Sequence, residues 1–127
     1  MTEHRTPLAR VRGLGPAKSG TEDFWHARVT AVALVPLTIG FVLLVISLLG
    51  RNHAAAQQIL GTPLVAIVML LFIGMSIYHM WIGMQEIIID YVHGPGAKYL
   101  ALFGNMFFCA VTGLASIYAI LKLSFGV

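Results

Sequence analysis

Charge is scarce in this chain. Only 10% of its 127 residues are Asp, Glu, Lys or Arg, whereas roughly a quarter are in ordinary soluble domains. Acidic residues are the scarcer sign, five against eight basic ones. Cysteine is nearly absent. Cys109 stands alone, so no intrachain disulfide can form, and its place inside an apolar run reads as a small packed side chain. Polar and apolar residues do not alternate over any long stretch, which excludes the pattern of membrane β-strands. No repeat or low-complexity segment stands out. The formal charge of +3 does not signal nucleic acid, because the basic residues are spread around the ends of apolar runs.

What the chain has instead is long apolar sequence, 58% of residues being hydrophobic. Three runs, Val29–Gly50, Asn52–Gln85 and Tyr99–Leu121, contain no Asp, Glu, Lys or Arg. A helix needs about 20 such residues to cross a hydrocarbon core of roughly 30 Å. The runs predict an all-α membrane protein with three transmembrane helices, at about 25–50, 61–91 and 98–122. The middle run is polar at its start (Asn52, His53, Gln57, Gln58), so its membrane part is expected from near Gly61. Pro36 is expected to bend the first span. Arg51-Asn52-His53 reads as the start of a short loop, and His93-Gly94-Pro95-Gly96 as a tight turn. Gly104, Ala110, Gly113 and Ala115 offer small surfaces for close helix contact in the third span.

Residues 1–20 form a separate basic arm ahead of the three-helix domain at 21–127. The arm carries Arg5, Arg10, Arg12 and Lys18 against Glu3, among glycines and prolines. It lacks the short apolar stretch and cleavage site of a secretory signal. A transit peptide fits its composition better, and the arm is expected to be retained. With three spans, the arm and the 92–98 loop share one side, with Arg28 at its boundary and Lys98 in the loop. The other side has only Arg51 and Lys122. The positive-inside rule puts the N-terminus on the cytoplasmic side, or the equivalent matrix side. Phe24 and Trp25 then become interfacial anchors, and Glu22 and Asp23 place negative charge in the first turn of the first helix.

The richest segment runs from Tyr78 to Tyr91. His79 lies inside a stretch fit for lipid, and Glu86, Asp90 and Tyr91 gather at its end. Ionisable groups in a membrane helix are costly and mark functional positions by default. Neutral imidazole is a good metal ligand and a common ligand of haem iron. Gly83, one turn on, would leave room for a flat macrocycle or for a close neighbouring helix. The other reading makes His79 a histidine hydrogen-bonded to another helix, with Gly83 as a packing contact. Spacing alone leaves both open. A three-helix piece encloses a polar group poorly, so a second membrane chain is a natural partner for His79. Met75 and Met84 read as apolar packing.

Asp90 is 11 positions beyond His79, which returns it to nearly the same helix face about 16 Å along the axis. A buried position and an interfacial one therefore lie on one face. Tyr91 offers a phenol that can donate to a carbonyl, or it is an ordinary interfacial tyrosine. Arg28 lies in the same leaflet. It can pair with Asp90, bind a lipid phosphate, neutralise a carboxylate on a buried cofactor, or snorkel to headgroups. His26, His53 and His93 sit at membrane edges, where histidine needs no special account.

The pattern His79-x3-Gly83-x6-Asp90-Tyr91 on the second of three spans resembles the hydrophobic membrane anchor family of succinate dehydrogenase, respiratory complex II. The segment from Asp23 to Ala31, Asp-Phe-Trp-His-Ala-Arg-Val-Thr-Ala, is similar to that family's first-helix entry. The resemblance implies an inner-membrane complex of flavoprotein subunit, iron–sulfur subunit and two membrane anchors, passing electrons from succinate to ubiquinone. It implies that His79 is one axial ligand of a haem b shared with the second anchor, a cytochrome b subunit, whose helices complete the bundle. Tyr91 would hydrogen-bond the quinone with Asp90 beside it, and Arg28 would lie near a haem propionate. The chain itself would hold no succinate site and would not be a catalyst alone. Family members differ in haem content, and Glu22 stands where some relatives carry a histidine. Two other functions are weighed against this one. A small subunit of a proton-translocating respiratory complex would need mid-membrane carboxylates, which the spans lack. A non-redox assembly subunit would need no chemistry at His79.

Overall fold

The computed structural model describes residues 6–12 and 19–126. They form five helices, α1 (Pro7–Val11), α2 (Ser19–Leu48), α3 (His53–Leu60), α4 (Pro63–Tyr91) and α5 (Pro95–Phe125), and no strand. Three of these, α2, α4 and α5, are long and apolar enough to cross a membrane. The chain is a helical membrane bundle. Of the basic arm, α1 and the start of α2 are described; positions 1–5 and 13–18 lie outside the described residues.

Local chemistry sets each helix boundary. α2 continues through Pro36 without interruption; membrane helices tolerate proline because neighbouring groups re-satisfy the freed carbonyl. It stops at Gly50, whose φ of 73° is left-handed and suits a residue without a Cβ. The Arg51 Nε donates to the Ser47 carbonyl at 3.3 Å, satisfying an otherwise free acceptor of the last turn. The expected loop after Arg51 is instead α3. The Asn52 side chain caps it, accepting from the Ala55 N–H at 2.9 Å, and Ala54, Ala55 and Ala56 are the strongest helix formers.

α4 and α5 both begin with proline, where the missing N–H costs nothing. At 29 residues, α4 is about 43 Å long and exceeds the hydrocarbon core. Its last turn has no basic residue of its own. Lys98, in the first turn of α5, supplies the charge: its Nζ donates to the Ile89 carbonyl at 2.7 Å.

α4 packs between α2 and α5, which barely meet each other. The α2–α4 seam holds Phe41 stacked on Phe72, with ring centres 4.6 Å apart. The α4–α5 seam is built around buried Asn105. Its Nδ2 donates to the Trp81 carbonyl at 3.0 Å, and its Oδ1 accepts from the buried Cys109 thiol at 3.5 Å. Cys109 is thus the packed side chain that its position suggests. Of the small residues expected to make close contacts, Gly113 does so: a Cβ there would lie 3.5 Å from the Ile77 side chain. A Cβ at Gly104 would meet nothing.

Few large side chains are enclosed. Among the described residues none is fully buried, and Val32, Val35, Ile39 and Leu43 on α2, with Phe107, Val111 and Leu114 on α5, face outward. Expressed without other chains, the protein should therefore be degraded or poorly dispersed. Size-exclusion chromatography in detergent checks this, and a stable, monodisperse monomer would contradict it. The tight seam gives a second expectation. Gly113→Ala should be tolerated, because its new methyl makes an ordinary contact with Ile77. Gly113→Leu should overpack the seam by about 1–3 kcal/mol, lowering the thermal midpoint of the purified protein.

Candidate functional site

The residues singled out by their chemistry divide between two levels of α4. The inner level centres on His79. Its Nδ1 lies 2.9 Å from the Oγ1 of Thr30 on α2. Thr30 is buried, and the same Oγ1 is 2.7 Å from the His26 carbonyl oxygen and 3.1 Å from that of Ala27. One turn before Thr30, the His26 ring meets Tyr78, with Nδ1 and the phenol oxygen 3.0 Å apart. Two polar cross-links therefore join α2 to α4 at adjacent residues, Tyr78 and His79. One of the two ring nitrogens of His79 thus has its partner within this chain, on α2.

The other ring nitrogen behaves differently. Among the described residues Nε2 of His79 has no hydrogen-bond partner, and no buried side-chain nitrogen or oxygen is left unpaired. Nε2 must then reach the surface of the chain. One turn further on, a Cβ at Gly83 would meet no atom within 4 Å. Gly83 is therefore not a packing contact between helices of this chain, and the space beside it is open.

Arg28 belongs to this inner level. It lies two residues before Thr30, about 3 Å along α2. Asp90 lies about 16 Å along α4 from His79. That leaves about 13 Å between the levels of Arg28 and Asp90, too far for an ion pair, and none forms among the described residues. The Arg28 guanidinium instead lies over the Phe24 ring, 4.9 Å from its centre. Of the roles open to Arg28, pairing with Asp90 is the one the geometry removes.

The outer level is the end of α4. Asp90 is exposed, as is Glu86 one turn before it, and Tyr91 is 77% exposed. The phenol of Tyr91 has no hydrogen-bond partner among the described residues, while its carbonyl accepts from the His93 ring at 3.1 Å. At 100° per residue, Asp90 points within about 20° of the His79 direction, and Tyr91 about 120° away. The two outer residues thus look out on different sides of the helix.

Three clefts on the surface of the described residues bear on the site. Two lie between α4 and α5, of about 250 Å³ and 270 Å³, and share Trp81 and Met106. A larger one, of about 900 Å³, lies between α3 and α5 at the opposite membrane end, beside Gln57, Gln58 and Lys122. His79, Asp90 and Tyr91 line none of these three, so the candidate residues occupy open faces.

Among the described residues no group of three His, Cys, Asp or Glu side chains converges to hold a metal ion. His79 can serve a metal only as a single ligand to an ion held mainly by another group. The donor set fits a haem: one imidazole nitrogen free at the surface, a bare glycine one turn away, and a cation, Arg28, at the same level. Residue chemistry singled out His79, Gly83 and Arg28. It passed over Thr30, and it read His26 as an ordinary edge histidine. The available signal was the i, i+4 spacing of His26 and Thr30 at the start of the first apolar run.

The comparisons with known proteins agree with one another. The family model described as "Succinate dehydrogenase/Fumarate reductase transmembrane subunit" matches residues 2–113. The succinate dehydrogenase hydrophobic membrane anchor subunit of Paracoccus denitrificans is 32% identical over 121 residues, covering 95% of this chain and 93% of the relative. The subunits of the same name in Rickettsia bellii and Rickettsia conorii are 28% and 24% identical, each across 93% of this chain and 94% of the relative. No solved structure matches. With most of its length matched by one family and by relatives of one name, this chain belongs to the transmembrane subunits of the succinate dehydrogenase/fumarate reductase family.

Proposed function

We propose that this chain is the membrane anchor of a succinate dehydrogenase, that it supplies one axial ligand to a haem b, and that it forms part of a ubiquinone site at the end of α4. The observation that carries the proposal is the divided environment of His79. One nitrogen is bonded inside the chain to Thr30, and the other is free at its surface beside the open space at Gly83. A histidine that only cross-linked helices would have no reason to keep a bare nitrogen at the protein surface at membrane depth.

Haem, when bound, supplies a one-electron carrier within the membrane. The chain's own part is to hold it. His79 Nε2 would be the ligand, Gly83 would leave space for the ring, and Arg28 would offset the negative charge of a propionate. A second anchor subunit, of the cytochrome b type, would supply the opposing histidine and cover the outward faces of the spans. The basic residues near the N-terminus and Lys98 support a cytoplasmic or matrix placement for that end, in a bacterial cytoplasmic or mitochondrial inner membrane. The flavoprotein and iron–sulfur subunits would dock there, so electrons from succinate would arrive near the end of α4.

Ubiquinone must reach that place from the lipid. Tyr91 has a free phenol and wide exposure at a helix end, which suits a donor to the quinone oxygen. Negative charge develops on that oxygen during reduction, and a hydrogen bond already in place stabilises it. Asp90, one residue earlier and about 100° around the same turn, would orient donors or deliver protons. A proton-relay function finds no support, because the carboxylates of α4 are exposed at its end and the apolar part of the span has none.

Two outcomes follow for the intact complex. His79→Ala should abolish or displace the reduced b-type absorption band, while Tyr91→Phe should leave it in place, because the two lie about 18 Å apart along α4. An unchanged spectrum and unchanged haem potential in His79→Ala would remove the ligand assignment. Tyr91→Phe should lower succinate–quinone reductase activity by roughly 100-fold, with succinate oxidation retained for an artificial acceptor that takes electrons upstream. Normal quinone reduction in that variant would leave Tyr91 an interfacial tyrosine only.

A further inference from the structure

The hydroxyl of Thr30 carries one hydrogen, and three polar atoms crowd around it. Its oxygen is 2.7 Å from the His26 carbonyl oxygen, 3.1 Å from that of Ala27, and 2.9 Å from His79 Nδ1. Carbonyl oxygens only accept. Two oxygens at 2.7 Å with no hydrogen between them would set lone pair against lone pair, so the Thr30 hydrogen must point at the α2 backbone. The contact with His79 can then be filled in only one way: Nδ1–H donates and Oγ1 accepts. A neutral imidazole has one N–H. With that hydrogen on Nδ1, the lone pair is on Nε2, the nitrogen at the chain surface.

We infer that Thr30 is a positioning residue for His79, fixing the tautomer and ring orientation that make Nε2 a ligand. The inference rests on the haem reading above. Several features hold the device in place. Thr30 is 4% exposed, so water does not compete for its oxygen. Its bond back to the preceding turn restrains the side chain to rotamers that keep the oxygen between helix and imidazole. The His26–Tyr78 contact pins that same turn of α2 to the residue beside His79. An accepted Nδ1–H bond also makes a ligating imidazole more basic, which favours the oxidised iron.

The test uses the purified intact complex carrying Thr30→Val, Thr30→Ser or His79→Ala. It reads haem content, haem midpoint potential and the electron paramagnetic resonance of the ferric haem, whose g-values follow imidazole orientation. Thr30→Ser keeps the hydroxyl and should match the parent. Thr30→Val keeps the shape and removes the acceptor. It should weaken haem retention about 10- to 100-fold, alter the g-values, and shift the ferric–ferrous equilibrium roughly tenfold toward ferrous, a rise of about 59 mV for one electron. Parental values for all three readouts in Thr30→Val, with the haem lost in His79→Ala, would overturn the inference and leave the haem reading standing. Haem unchanged in His79→Ala would overturn the haem reading itself. Should Thr30→Val not assemble, the same substitution is made in the His79→Ala background. Assembly restored there supports action through His79; a defect of equal size there shows that Thr30 serves α2–α4 packing alone, and overturns the inference.

Discussion

Polar side chains carried into the spans lean on helix backbone. Thr30 bonds to the His26 carbonyl, Asn105 to that of Trp81, and Ser116 to that of Thr112. The cause is the solvent. In hydrocarbon no water is available to complete a hydrogen bond, and each unpaired group costs several kcal/mol. Backbone carbonyls keep a spare lone pair even inside a helix, so they are acceptors that every span brings with it. Asn105 uses one across the α4–α5 seam. Thr30 uses one within α2 and thereby gains an oxygen lone pair to offer across the α2–α4 seam. The position of the imidazole on α4 thus depends on how a hydroxyl on another helix is satisfied.

That dependence explains how much could be read from residues alone. The three spans were legible because a membrane helix must be about 20 apolar residues without a break, and each of the three runs meets that condition. The short helix α3 was not. It is amphipathic, eight residues long and rich in amide side chains, and its helicity comes from the Asn52 cap and three alanines rather than from any long period. His79, Gly83, Asp90 and Tyr91 could be placed relative to one another because one unbroken helix carries them. Arg28 could not be placed against Asp90, because that relation depends on the vertical register of α2 against α4. Thr30 and His79 are 49 residues apart, and nothing in either run states that they share a level.

Residue roles also do not follow from family membership alone. The family match shows what kind of subunit this is, and it covers α2, α4 and the first part of α5. It does not separate a histidine that crosses between helices from a histidine that binds iron, because both are compatible with a polar residue at that point of a span. The geometry bears on the choice by dividing the ring. One nitrogen answers to the packing of α2, and the other has no hydrogen-bond partner among the described residues.

The length of α4 connects the two halves of the proposed function. A span of about 20 residues would end near the hydrocarbon boundary, with little helix left for a second site. At 29 residues α4 runs on, held at its end by Lys98 on the Ile89 carbonyl. Asp90 and Tyr91 are thereby fixed on rigid helix, exposed at its end. His79 stays about 16 Å deeper on the same rod. Lateral movement of α2 changes the environment of His79 through Thr30, yet it leaves the His79–Asp90 separation alone, because one helix sets it. In the proposed function this arrangement lets the haem level be tuned by neighbouring helices while the quinone level keeps its distance from it.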